Sequence, residues 1–192
     1  MIVLGLDLSY TATGWVALQA SEEFAEVPPI VTANDVIRTP AIPAQQRAEV
    51  FLRCGRVFRI VEAVLAVVHE RRPSVIGIED YSYESVEGAH LTGELHGVLL
   101  HYLWRTEQVV DRVPIGTWRR LALGNGQLAK DQIRTEVLKR YGVEFKSLDV
   151  VEAYGVAVAT WMRRIGADKP VSKRRRQRLL AEVPQLSFDP FL

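Results

Sequence analysis

Ile2-Val3-Leu4-Gly5-Leu6-Asp7 is a short apolar run that stops on an acid, and after the polar turn Ser9 to Thr13 residues 14–18 are apolar again. Apolar runs of this length bounded by turn residues read as strands, and two in close succession as a hairpin. Residues 30–37, β-branched at Ile30, Val31, Thr32, Val36 and Ile37 and closed by Pro40 and Pro43, read as a third strand. Across residues 44–71 the apolar positions Val50, Phe51, Cys54, Val57, Phe58, Val61, Val64, Leu65 and Val68 recur at three- and four-residue steps. That spacing predicts one long amphipathic helix with Cys54 in the core. Pro73 ends it, and Val75-Ile76-Gly77-Ile78 then runs into Glu79 and Asp80 as a buried parallel strand would.

Farther on, residues 91–104 return to helical spacing, 109–113 read as a strand closed by Pro114, and 116–123 as a brief helix before the turn Gly124-Asn125-Gly126. Residues 129–141 and 148–162 read as two more helices. This order predicts an α/β domain: a five-stranded mixed sheet, an antiparallel meander joined to parallel strands by right-handed crossovers, with helices on both faces. Residues 1–166 form that domain, and 167–192 a basic C-terminal tail that carries Lys173-Arg174-Arg175-Arg176-Gln177-Arg178.

The whole chain has 192 residues, 48% hydrophobic and 24% charged, which excludes collagen-like and disordered classes and fits one globular core. A domain of this size buries roughly 70% of the surface of its unfolded chain, so it needs no disulfide or structural metal. The lone Cys54 forms no intrachain bridge, and 24 Lys and Arg against 23 Asp and Glu leave a net charge of +1. Any binding of nucleic acid therefore rests on where the charges sit. No basic start or long apolar segment marks an export signal or membrane span, so the expected location is the cytoplasm, with no membrane partner.

Asp7 and Glu79 each end an apolar strand, and ligands of open α/β sheets bind at the carboxyl ends of their strands. Asp149 and Glu152 lie three apart at the start of the last helix and so share a face, where the helix macrodipole favours acids. Clustered carboxylates repel one another, and such a cluster normally holds hard divalent cations, magnesium or manganese. Two ions roughly 4 Å apart can activate water and stabilise the leaving oxygen of an in-line phosphodiester displacement. The four histidines have no zinc-ligand spacing. The plainer reading of the same residues is also open: strand-end acids are often solvated turn residues, and Asp149 can serve as a helix N-cap with Glu152 completing the cap.

Four stretches give these residues a context. Gly5-Leu6-Asp7-Leu8-Ser9 with Thr13-Gly14-Trp15, Ile76-Gly77-Ile78-Glu79, Gly124 to Lys130, and Leu148-Asp149-Val150-Val151-Glu152-Ala153 together resemble, in order and spacing, the RuvC-type crossover junction endodeoxyribonucleases. The resemblance implies an RNase H-like fold and a structure-selective endonuclease that resolves four-way (Holliday) junctions by paired symmetrical nicks. It implies that Asp7, Glu79, Asp149 and Glu152 are the acidic ligands of two magnesium ions, with manganese a substitute, and that Lys130 approaches the scissile phosphate. It also implies that Arg119 is a second basic residue of the DNA site. The last acid of the family is usually an aspartate, so Glu152 is a departure. Another is Ser82, which stands where the family often has an aromatic; Tyr81 and Tyr83 on either side are the candidates to stack on DNA.

The family's dimeric habit implies a homodimer about residues 91–104, where His96, Gly97, Leu100 and Trp104 would meet their copies, and a four-way junction as partner. The last residues, Gln185 to Phe191, weakly resemble a sliding-clamp docking peptide, and a branch-migration partner is a further expectation. Rival readings are another RNase H-like nuclease acting on RNA/DNA hybrids or DNA ends, a non-catalytic DNA-binding relative, and an actin-like or sugar-kinase-like ATPase. The ATPase fold needs two lobes and a glycine-rich adenosine site, which this length does not fit.

Overall fold

A computed structural model describes residues 1–22, 28–40, 49–80 and 89–166. Its elements follow the order β1 (Ile2–Asp7), β2 (Ala12–Gln19), β3 (Ile30–Arg38), α1 (Val50–Arg71), β4 (Val75–Asp80), α2 (Ala89–Arg105), β5 (Val110–Pro114), α3 (Ile115–Leu123), α4 (Lys130–Tyr141) and α5 (Leu148–Arg164). The strands form one sheet in the order β3-β2-β1-β4-β5. β1 pairs antiparallel with β2 and parallel with β4, and β4 pairs parallel with β5. The mixed α/β sheet expected from the sequence is therefore present, with β1 at its centre and β4 beside it. Among the described residues no helix is long and apolar enough to cross a membrane.

The two-residue period of the strands divides the core. Leu4, Leu6, Trp15, Ala17, Ile76 and Ile78 point to one face and pack with Val57, Ile60, Val61 and Val64 of α1 and Leu95, Leu99 and Leu103 of α2. Val3, Val16, Leu18, Val75 and Val113 point to the other, under α3, α4 and α5. By the same alternation Asp7 and Glu79 belong to this second face.

α5 is the central helix, buried without interruption from Val150 to Trp161. It can lie this close to the sheet because side chains are missing where it crosses. A Cβ at Gly14 would collide with the carbonyl of Asp149, and one at Gly5 with the carbonyl of Ala153. Gly77, beside Gly5 in the β1–β4 register, continues the row toward Thr160.

Three sequence expectations need correction. Cys54 is exposed, as are Val50 and Phe51. They continue the apolar phase of α1, but burial begins only at Val57, past the first two turns. His96 is 2% exposed and lies with Leu95, Leu99 and Leu103 on the inner face of α2, so it cannot meet a partner helix. Asp149 is not a helix cap; Ser147 holds that position, in extended conformation. Tyr81, Tyr83, Ser82, Pro43, the predicted helical residues 44–48, the basic tail and the clamp-like peptide lie outside the described residues.

Candidate active site

β1 and β4 are parallel neighbours with Leu6 opposite Ile78, so the next residues, Asp7 and Glu79, emerge side by side at the carboxyl end of the sheet. Asp7 is also opposite Gly14 on β2, over which the first turn of α5 is seated. That seat brings Asp149 and Glu152 to the same end of the sheet as the strand acids. Two carboxylates come from strands and two from a helix held to them by backbone contact.

Three of the four acids are held by a neighbour. The indole N–H of Trp118, a fully buried residue of α3, donates to Glu79 Oε2 at 2.7 Å. The Ser147 hydroxyl donates to Asp149 Oδ2 at 2.7 Å. Glu152, only 4% exposed, has Lys130 Nζ at 3.0 Å from Oε2 and Arg119 Nη2 at 3.7 Å from Oε1. Arg119 is fixed in turn: Nη1 donates to the Leu128 carbonyl at 2.8 Å, and its guanidinium lies over the Trp118 ring, 5.4 Å from the centroid. Lys130 is the first residue of α4, where the macrodipole opposes a cation by roughly 0.3–1 kcal/mol. The buried Glu152 carboxylate offsets that cost.

The charges are felt across the group. Burial, then the charges of Glu79, Glu152 and Asp149, hold the Asp7 carboxyl well above the usual carboxylate range, against the pull of Lys130. Burial and then the Glu152 charge push Glu79 up to about 7, although the Trp118 hydrogen bond, Arg119 and Lys130 favour its ionised form. Burial works to lower the Lys130 ammonium, but the Glu152 hydrogen bond and charge, with Asp7 and Glu79, leave it raised. Four acids thus share one electrostatic environment with two cations. Among the described residues, no three acidic, histidine or cysteine side chains are already gathered about a single ion position.

Of the residues singled out from the sequence, Asp7, Glu79, Asp149, Glu152, Lys130 and Arg119 are brought together here. Trp118 and Ser147 were not singled out. Both had a signal: a buried indole N–H needs an acceptor, and a serine just before an apolar helical run is an N-cap.

The comparisons with known proteins agree on the fold. Thermus thermophilus RuvC superposes with a TM-score of 0.69 at 22% identity, over 86% of this chain and 97% of that one. T. thermophilus RuvC in complex with a Holliday junction substrate gives 0.70 at 23%, over 89% and 99%. The yeast mitochondrial Holliday junction resolvase gives 0.60 at 18%, over 94% and 84%. No protein-family model matches the chain, and no curated protein matches it in sequence. The fold is RuvC-type, with RNase H-like architecture.

Proposed function

We propose that on this RuvC-type fold the chain is a metal-dependent endonuclease that resolves four-way DNA junctions by paired, symmetrical nicks. The observation that carries the reading is that Asp7, Glu79, Asp149 and Glu152 lie at one end of the sheet and that the other three acids act on the Asp7 carboxyl, in a fold shared with a protein solved on a Holliday junction. Asp7 and Glu79 resist ionisation because they are buried and, after that, because other carboxylates stand near them, and a hard divalent cation would relieve both costs. Oxygen donors without a thiol or imidazole fit magnesium or manganese better than zinc.

Asp7, Glu79, Asp149 and Glu152 would hold the metal. When bound, it supplies Lewis acidity and water activation for an in-line phosphodiester displacement. The rest falls to the chain's own groups. Trp118 fixes the Glu79 carboxylate and Ser147 that of Asp149, so neither is free to turn away from the phosphate. Lys130 Nζ, on a largely exposed side chain, is placed to balance the negative charge that builds on the phosphate oxygens. Arg119, locked by Leu128 and Trp118, keeps the rim of the site positive.

Paired nicks call for two sites, hence for a homodimer. The outward side of α2 supports one: Gly93, Gly97 and Trp104 recur at helical spacing with the half-buried Leu100 beside them, and Trp104 is 75% exposed. A Cβ at Gly93 or Gly97 would touch nothing, so a second helix can approach closely there.

The test is incubation of end-labelled four-way junctions, linear duplexes and RNA/DNA hybrids with the protein, with magnesium, with manganese and with chelator. Metal-dependent, symmetrical junction cleavage is expected, with Asp7→Asn binding but not cutting. Cleavage of hybrids or duplex ends alone would move the reading to another RNase H-like nuclease. Binding without cleavage in either metal would make the chain a non-catalytic junction binder.

A further inference from the structure

At the outer edge of β5, a concavity of about 380 Å³ is lined by Arg112, Pro114, Thr117, Arg120, Leu121 and Arg163. No carboxylate lines it. Guanidiniums from β5, α3 and α5 border one small volume, and carboxylates outside it pair with two of the three, which leaves one positive charge unbalanced.

Two of the three are held from outside the pocket. Arg163 pairs with Asp111 at 2.9 Å and donates to the Arg112 carbonyl at 3.2 Å, while Arg112 pairs with Asp80. Arg163 makes both contacts through Nη1, which leaves the donors on Nη2 for a ligand. Arg120 differs: its side chain has no ion-pair or hydrogen-bond partner among the described residues. Thr117 adds a neutral hydroxyl on the same helix.

We infer that this pocket is a second phosphate site, which grips the backbone of the nucleic acid away from the acids, with Arg120 as the residue that engages it. The inference rests on the nuclease reading above. α3 gives it a mechanical meaning. Within four consecutive residues that helix sends Thr117 and Arg120 to the pocket, Trp118 to Glu79 and Arg119 to Glu152. A strand clamped at Arg120 is thereby set at a fixed distance from the acids by one short rigid element.

The experiment is a salt titration of binding, without divalent metal, of the full chain to a fluorescent four-way junction and to linear duplex. Each phosphate contact contributes about 0.9 to the slope of log affinity against log salt. Arg120→Gln is expected to weaken binding several-fold and lower the slope by about that amount for each protomer engaged, whereas Arg120→Lys keeps the slope. An unchanged slope in Arg120→Gln overturns the proposal. So does an equal loss in both variants, which would mark Arg120 as structural. A thermal shift with inorganic phosphate that Arg120→Gln abolishes, while the junction slope stays unchanged, would assign the pocket to a free anion and also overturn it. Failure of the wild-type chain to bind either DNA would overturn the nuclease reading itself, and the two failures are told apart by that control.

Discussion

Lys130 Nζ stands 3.0 Å from Glu152 Oε2, so the first residue of α4 neutralises the most deeply buried acid of α5. A cation at a helix N-terminus and a carboxylate in the core are each unfavourable alone, and the two explain one another. The same pairing leaves the lysine at the rim, where, on the proposed reading, a phosphate of the DNA would compete for it.

Lys130→Ala should therefore slow junction cleavage roughly 10²-fold, the usual cost of removing a preorganised charge-stabilising donor. Binding at equal salt should weaken much less. Single-turnover rates at saturating protein separate the two, and an unchanged rate removes Lys130 from the reaction.

A pH dependence follows from Glu79. Its carboxyl titrates near 7 in the folded chain against 4.5 ordinarily, so between those values the unfolded state binds fewer protons than the folded one. Stability of the metal-free protein should fall as pH rises from about 4.5 to about 7, and Asp7, also raised, adds to the fall. Thermal melts in chelator should show this, and magnesium or manganese should restore several degrees at the alkaline end. Glu79→Gln should flatten the pH dependence and abolish the metal response. A metal-free melting temperature that climbs across the same window would contradict the electrostatics described here.

Trp118→Phe keeps most of the ring volume but deletes the N–H that Glu79 accepts. A hydrogen bond to a charged group is worth about 1.5–3 kcal/mol. Its loss should drive the Glu79 carboxyl higher still and move the acid limb of the pH–rate profile to higher pH. A profile of unchanged shape would show that the bond does not govern the ionised state.

Gly14→Ala is the sharper structural test, because the added methyl would meet the Asp149 backbone rather than a flexible side chain. Overpacking of this kind costs about 1–3 kcal/mol or more. Urea denaturation should show that loss, and cleavage should fall further than stability does, since the helix-borne acids are pushed away from those on the strands.

Trp104→Glu, on the outer stripe of α2, should shift a dimer toward monomer in sedimentation and turn paired cuts into single nicks. Sedimentation unchanged at low concentration would place the interface elsewhere.

Much of this was legible in the sequence because it is local. The apolar runs that end in Asp7 and Glu79 read as strands, and the i, i+3 pair Asp149 and Glu152 reads as one helix face. What needed coordinates is non-local. That β1 lies against β4 with Leu6 opposite Ile78 depends on pairing across more than sixty intervening residues. That Glu79 meets Trp118, and Glu152 meets Lys130, depends on how α3 and α4 settle on the sheet. Periodicity misled at Cys54 and His96 for opposite reasons. Cys54 has the right phase on a turn that the core does not reach, while His96 is polar but turned inward beside Leu95.

Where α5 crosses Gly5 and Gly14, it touches bare main chain rather than interlocking side chains. The separation of Asp7 from Asp149 and Glu152 is thereby a gauge cut into the polypeptide itself. Drift in the surrounding hydrophobic residues can alter stability without retuning it, and no gradual series of substitutions at those two positions is open, since the smallest step up from hydrogen already prises the layers apart.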